Sequence, residues 1–361
     1  MTSRHLRTAA LSAVAATTVL AAVGFAVPAG AAQPSPTPAG VSVPAGWTAR
    51  VVASSASKAM TGLDDITTLD GKLFVGFQNG VGTMGEPAPS GATASTLVEY
   101  SPDGRTVAQW NLTGKIDGLG ANPRTNEVIA TVNEDGNSSI YTVEPRAHGA
   151  RVHHYAYNLN PLPHGGGTDS ITVHHGVVYL AASNPGTNAA GQTGDRPAMY
   201  TVCFAGSTAA LSPVFPDDVT ATNLVTGATG ALNLTDPDSS NWVPAGIHGI
   251  GNTLMLDSQG DQELVFVKHP GEHNQSVSVL PLSTSVDDTV FATSTRGTLY
   301  VVDSGGTRLI AITGPFRKGE VFTSASGLST LDPSNGQATG FGSGIQPKGL
   351  LFVAADGNRT N

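Results

Sequence analysis

The sequence predicts an all-β protein and, within that class, a single β-propeller. Three observations predict it. Small, turn-forming and β-branched residues dominate: the 361 residues include 44 glycines and 23 prolines, and only 12% are charged. No long stretch beyond the N-terminus shows helical periodicity. A short motif also recurs, in which a polar residue and any second residue precede a β-branched or aliphatic one. Its hits are Asp64-Asp65-Ile66, Asp117-Gly118-Leu119, Asp169-Ser170-Ile171, Asp217-Asp218-Val219, His248-Gly249-Ile250, Asp287-Asp288-Thr289 and Lys348-Gly349-Leu350. Finally, a tight turn and a stronger apolar strand follow most hits: "KLFVGF", "EVIATV", "VVYLAAS", "TLMLDS", "TLYVVDS". Strands A to D repeating at roughly 40 to 50 residues are the signature of propeller blades.

The N-terminus reads as a targeting segment. Arg4 and Arg7 precede an apolar run over residues 8–27, and "PAGAAQ" offers an Ala29-x-Ala31 cleavage site. A secretory signal peptide over 1–31 is expected, removed from a secreted, extracellular protein with no stable membrane insertion after cleavage. Residues 32–45 read as a Pro-rich linker, and 46–357 as the propeller.

Charge narrows the function classes. The chain carries a net charge of −9, more negative still without Arg4 and Arg7. Nucleic acid needs a basic surface, so it is excluded as a partner. A small polar ligand or an extracellular partner fits better, on a monomer. Cys203 is the one cysteine, so no internal disulfide forms. Its strand-like setting "AMYTVCFAG" predicts a buried thiol.

Seven motif hits favour seven blades, while the early spacing of about 52 residues also suits six. Residues 287–346 hold too many strands for one blade, and "EVFTSASGLSTLDPSNGQATGFG" lacks an obvious strand A. The ring is expected to close by placing "WTARVVA" at the N-terminus and "PKGLLFVAA" at the C-terminus in one blade.

"DGKLFVGF", "GTLYVVDSGGTRLIAIT" and "PKGLLFVA" resemble the NHL-repeat and gluconolactonase-like propellers, and also secreted propeller proteins of high-GC Gram-positive bacteria. The resemblance covers 47–356. Gluconolactonase-like enzymes hold a divalent metal in the central channel through Glu, Asn and Asp side chains. Those ligands find no residue-by-residue match here, so the resemblance implies the fold more than the activity.

In a propeller strand A lines the channel, so the motif residues are expected at one channel mouth. Asp64, Asp117, Asp169, Asp217, Asp287 and Lys348 are the candidate ligand-binding residues there, with His248. Crowded carboxylates disfavour one another's ionisation and favour a hard cation, Ca²⁺ first and Mg²⁺ second. Asp64, Asp117, Asp169 and Asp287 are the metal candidates. The plainer reading is that an aspartate before a strand accepts backbone N–H groups and fixes its turn.

The B–C turns share that face. Two are long, 79–95 and 183–197, and "NEDGN" (133–137) and "DPDSSN" (236–241) are read as acidic turns. His164, in the glycine-rich "PHGGGTD", and His248 are candidate catalytic residues. Trp110 reads as core, and Trp242 as a stacking surface for a ligand. The leading expectation is a secreted propeller that binds or scaffolds an unknown ligand at an acidic channel mouth. The alternative is a Ca²⁺- or Mg²⁺-dependent lactone hydrolase or lyase acting in the channel.

Overall fold

A computed structural model describes residues 38–55, 60–147 and 151–355. The predicted signal peptide and residues 32–37 of the linker lie outside the described residues. Every regular element among those residues is a β-strand. The turn chemistry explains why. In "LDGK", Leu69 pairs directly with Lys72, and Asp70 and Gly71 take φ of 51° and 72°. Left-handed dihedrals at both central residues match the twist of the flanking strands, so the chain doubles back at once.

Five hydrogen-bonded sheets result. One runs outward through Leu63–Leu69, Lys72–Phe77, Ala94–Tyr100 and Thr106–Thr113. An eight-stranded sheet has two antiparallel halves. The first is Ile116–Asn122, Glu127–Val132, Ser139–Glu144 and Arg151–Tyr157; the second is Ile171–His174, Val177–Ala181, Pro197–Ala205 and Thr208–Pro216. Only the short parallel pairing Thr208↔Ala156 and Ala209↔Tyr157 joins them. A six-stranded sheet runs Pro237–Trp242, Leu254–Ser258, Glu263–Lys268 and Ser276–Pro281, with the hairpin Thr220–Asn223/Thr229–Ala231 added in parallel at its outer edge.

The last two sheets interleave in sequence. Thr289–Phe291 pairs with Val321–Ser324, followed outward by Leu328–Asp332 and Gln337–Gly340. The hairpin Gly297–Asp303/Arg308–Thr313 leaves that sheet and enters the closing one, between Pro347–Ala354 and Thr48–Ser54. This accounts for the surplus of strands in 287–346. The missing strand A is Thr289–Phe291, separated in sequence from its partner by a hairpin that serves another sheet. The first and last described strands form the two edges of the closing sheet.

The innermost strands follow one another around an axis, in a β-propeller arrangement. Leu63–Leu69, Ile116–Asn122, Ile171–His174, Pro237–Trp242, Thr289–Phe291 and Pro347–Ala354 each contact the next, and the last contacts the first. Apolar clusters fill the gaps between neighbouring sheets. Val75 and Val302 share one, Leu97 and Val128 another, and Ile129 and Leu180 a third. Tyr200, Phe74, Phe77, Phe266 and Phe322 are wholly buried, each stabilising the fold by about 1.5–3 kcal/mol. Trp110 is core as expected, stacked on Phe74 at 6.3 Å.

Two expectations need correction. Cys203 is exposed. Its strand pairs with Val177–Ala181 only over Met199–Val202, so Cys203, still paired with Ala210 on the other side, runs past the end of that neighbour. The end of the predicted linker is also held. Val41 is buried, and Ser42 exchanges both backbone hydrogen bonds with Ser343.

Candidate functional site: an acidic channel mouth

Each inner strand begins with a residue aimed at the channel. Four of these strands carry a register irregularity there: between Leu63 and Ile66, Ile116 and Leu119, Pro237 and Ser240, and opposite Lys348-Gly349. A bulge re-aims the side chain it contains. The other two are pinned at the same place. The N–H of Asp169 bonds Ala181, and the N–H of Asp287 bonds Ser324. Equivalent positions therefore hold Asp64, Asp117, Asp169, Asp238, Asp287 and Lys348, all lining one cavity of about 940 Å³.

The neighbouring residue does different work. Asp65 Oδ2 accepts the N–H of Leu119 at 2.6 Å, and Oδ1 accepts the N–H of Ile66. Asp288 repeats this with Leu350 and Thr289. In each Asp-Asp pair the second carboxylate fastens one inner strand to the next, and the first faces the channel. The backbone-binding reading thus describes the second member of these two pairs, while the first is left facing the channel.

B–C turns add to the same mouth. Glu134, Gln78 and Gln259 line it, with Lys115 and Asp236. Lys115 Nζ contacts Asp117 Oδ1 at 2.6 Å and also pairs with Glu134. Gln78 Nε2 donates to Asp117, and Gln259 Nε2 to Asp287. Lys348 Nζ lies 2.5 Å from Asp287. The turns interlock: Asp135 N–H bonds Thr83 O, Asn137 donates to Met84 O, and Asn184 to Asp135.

Carboxylates here outnumber ammonium groups, and burial raises the pKa of Asp64, Asp117, Asp169, Asp236 and Asp238. Asp64 is pushed up to about 7 by burial and then by Asp287, with Lys348 and Lys115 opposing. Burial also raises Asp117, reinforced by Glu134, and raises Asp236 and Asp238. Asp169 is raised by burial and by Asp238, to which its carboxyl is hydrogen-bonded. Burial opposes the charge on Lys115, but Asp117 and Glu134 outweigh it and raise its pKa. Among the described residues, no three His, Cys, Asp or Glu side chains close around one point as metal ligands. The aspartates instead rim a space wide enough for a polyatomic ligand.

The opposite end of the channel differs. His174 and Trp242 stack there with centroids 3.4 Å apart and planes at 5°, and His175 lies 4.0 Å from His174. Burial, then His175, lowers His174 to about 4.

Of the residues the sequence singled out, Asp64, Asp117, Asp169, Asp287 and Lys348 come together. Trp242 lines the channel at the far end. Asp217 does not join them. It is buried in the connection before the outer hairpin, where it accepts the N–H of Arg196. His248 is exposed in the turn after Pro237–Trp242, and a turn that follows an inner strand lies at the end away from the aspartates. His164 is buried with both ring nitrogens engaged, by Tyr200 Oη and Gly167 O, and does not line the cavity. The reading of 236–241 as a turn is corrected too, since Pro237–Trp242 is an inner strand. Asp236, Asp238 and Glu134 were expected at this face only as members of acidic turns, and Lys115 was not singled out. Asp238 starts the motif, but Ser240 stands where the pattern expects a β-branched or aliphatic residue.

No protein-family model matches the chain, and no curated protein matches it in sequence. Some solved structures share its outline. A protein of unknown function from Bacteroides thetaiotaomicron aligns at 10% identity and TM-score 0.45, over 79% of this chain and 62% of its own. The chain thus spans less than two thirds of that protein. A functionally unknown protein from Desulfotomaculum acetoxidans aligns at 10% identity and TM-score 0.45, over 87% of this chain and 99% of its own. The periplasmic gluconolactonase of Pseudomonas aeruginosa aligns at 12% identity and TM-score 0.42, over the same shares. No statement about this chain's chemistry follows from similarity so distant.

Proposed function

We propose that the protein is a secreted, six-bladed propeller that binds a small, polar, positively charged ligand in its acidic channel. One observation carries the reading: five aspartates and one lysine hold equivalent positions on inner strands around a single cavity. Two ammonium groups cannot balance five aspartates together with Asp236 and Glu134. Burial leaves the surplus partly protonated. A cationic ligand would return those carboxyls to the ionised form and gain charge-assisted hydrogen bonds. The width of the cavity favours an organic amine over a bare ion. The blade count is supported by six successive inner strands, with apolar clusters in the gaps between them.

A second reading, lactone hydrolysis or lyase chemistry, draws on the hydrogen-bonded Asp169–Asp238 pair and on Asp64 near 7. A carboxyl that titrates near neutrality can give and take protons. Melting of the full chain in the presence of diamines, neutral sugars and lactones tests both readings. Diamines should raise Tm, and the rise should vanish in Asp64→Asn/Asp238→Asn. A Tm shift with sugars or lactones alone would overturn the binding reading. Turnover of a lactone would establish the second.

A further inference from the structure

The contacts between neighbouring inner strands follow a rule with one exception. Two positions on each inner sheet face the next sheet: the residue after the channel-facing one, and a partner on the second strand. Where either holds a hydroxyl, that hydroxyl donates to the carbonyl of the next channel-facing residue. Thr131 Oγ1 donates to Asp169 O at 2.6 Å, Ser170 Oγ to Asp238 O at 2.6 Å, and Ser324 Oγ to Lys348 O. The two positions and the carbonyl are in close contact. A Cβ added to Gly118 would stand 2.4 Å from Asp169 O and 2.7 Å from Thr131 Oγ1.

At the seam between Pro237–Trp242 and Thr289–Phe291, the same positions hold Ser239 and Asp257, and the facing carbonyl is that of Asp287. The register confirms the placement, because Pro237 pairs with Ser258 and Ser240 with Leu256. Here the rule fails. Asp257 is 0% exposed, and neither of its carboxyl oxygens has a partner. Ser239 Oγ is also buried and unpartnered. The two groups do not bond each other either. Asp287, Asp288, Asp236 and Asp238 are the charged neighbours of Asp257, and no cation among the described residues compensates it. A buried carboxylate facing a carbonyl and a free hydroxyl costs several kcal/mol unless something positive lies between them.

We propose that this seam holds a Ca²⁺ ion, liganded by both oxygens of Asp257, by Ser239 Oγ and by the carbonyl of Asp287. All four ligand atoms are oxygens, as hard cations require. Asp288 and Asp236 supply further negative charge nearby. The site lies between two sheets, at the channel wall: Ser239 and Asp287 also line the cavity, and Asp257 sits behind them. Its role is to clamp one seam that lacks the hydroxyl-to-carbonyl bond of its neighbours.

The test uses the full chain, stripped with EDTA and then dialysed against Ca²⁺. Elemental analysis should find one Ca²⁺ per chain, and Tm should rise on adding Ca²⁺. Asp257→Thr installs the residue that closes the Thr131 seam. It should fold and lose both the ion and the Ca²⁺ response. Asp257→Asn provides the same reading if the threonine does not fold. Ser239→Ala should weaken Ca²⁺ binding by about tenfold or more. Asp64→Asn, in the channel, should keep the response in full. An unchanged response in the Asp257 variants, its loss in Asp64→Asn, or no ion in the wild type would overturn the proposal.

Discussion

The two ends of the channel are built from the same strands and have opposite chemistry. The end where inner strands begin gathers Asp64, Asp117, Asp169, Asp238 and Asp287 with two lysines. The end where they finish stacks His174 on Trp242. The difference teaches how a repeated fold acquires a site. Bulges at four strand starts, and backbone-pinned starts at the other two, turn polar side chains inward, so a single residue type there is multiplied around the axis. Strand ends carry no such device, and their chemistry differs from sheet to sheet.

The largest expected effect breaks the balance at the acidic end. Lys115 is nearly buried between Asp117 and Glu134. Lys115→Met should cost about 3–5 kcal/mol, because two desolvated carboxylates lose their shared partner. Denaturant unfolding measures it. Lys348→Met should cost less, since its side chain is 44% exposed and water takes over part of its role. Equal losses would mean that burial does not set the strength of these pairs.

Next is the seam beside the mouth. Asp65→Ala removes an acceptor from Leu119 N–H and Ile66 N–H, and should cost about 1–3 kcal/mol without altering diamine binding. At the far end, His174→Ala loses only a stacking partner, about 0.5–1.5 kcal/mol, and should leave diamine binding unchanged as well. A matching loss of binding in either variant would erase the distinction between wall and site.

The pH dependence is the most diagnostic, because the two ends pull against each other as pH changes. Burial raises Asp64 and Asp288 to about 7, while unfolded carboxyls titrate near 4. Between those values the folded state holds more protons, so these groups lower stability as pH rises through the window. His174 goes the other way. Its pKa falls to about 4, below the unfolded value of about 6.5, so its contribution grows as pH rises from 4 towards 6.5. Asp64→Asn should flatten the loss of Tm towards pH 8, and His174→Ala should flatten the loss towards pH 4. Melting curves across that range would show the reverse pattern if the assignments were exchanged.

How much of this was legible follows from the same geometry. The tight turn at Asp70-Gly71 and the apolar second strands announce themselves, because turn dihedrals and core burial each constrain composition. Five of the six channel-facing positions could be found because a β-branched or aliphatic residue follows two places later. Asp238 escaped because Ser240 bonds Ser170 and Thr172 across the seam instead of packing in the core. Asp217 and His248 matched the pattern by chance, since a motif of three residues cannot tell an inner strand from a connection. The pairing of Lys115 with Glu134 was out of reach, because a salt bridge across a turn leaves no periodic trace. The sequence order also concealed the interleaved hairpin Gly297–Asp303/Arg308–Thr313, whose strands look like those of any other sheet.

The central claim is that a cation restores ionised carboxylates at the acidic mouth. Calorimetric titration of a short diamine into the full chain, at pH 7 in two buffers of different ionisation enthalpy, measures it directly. The account predicts a binding heat that differs between the buffers by an amount corresponding to protons released on binding, and no such difference in Asp64→Asn/Asp238→Asn. Binding with no net proton release, or no binding at all, would contradict it.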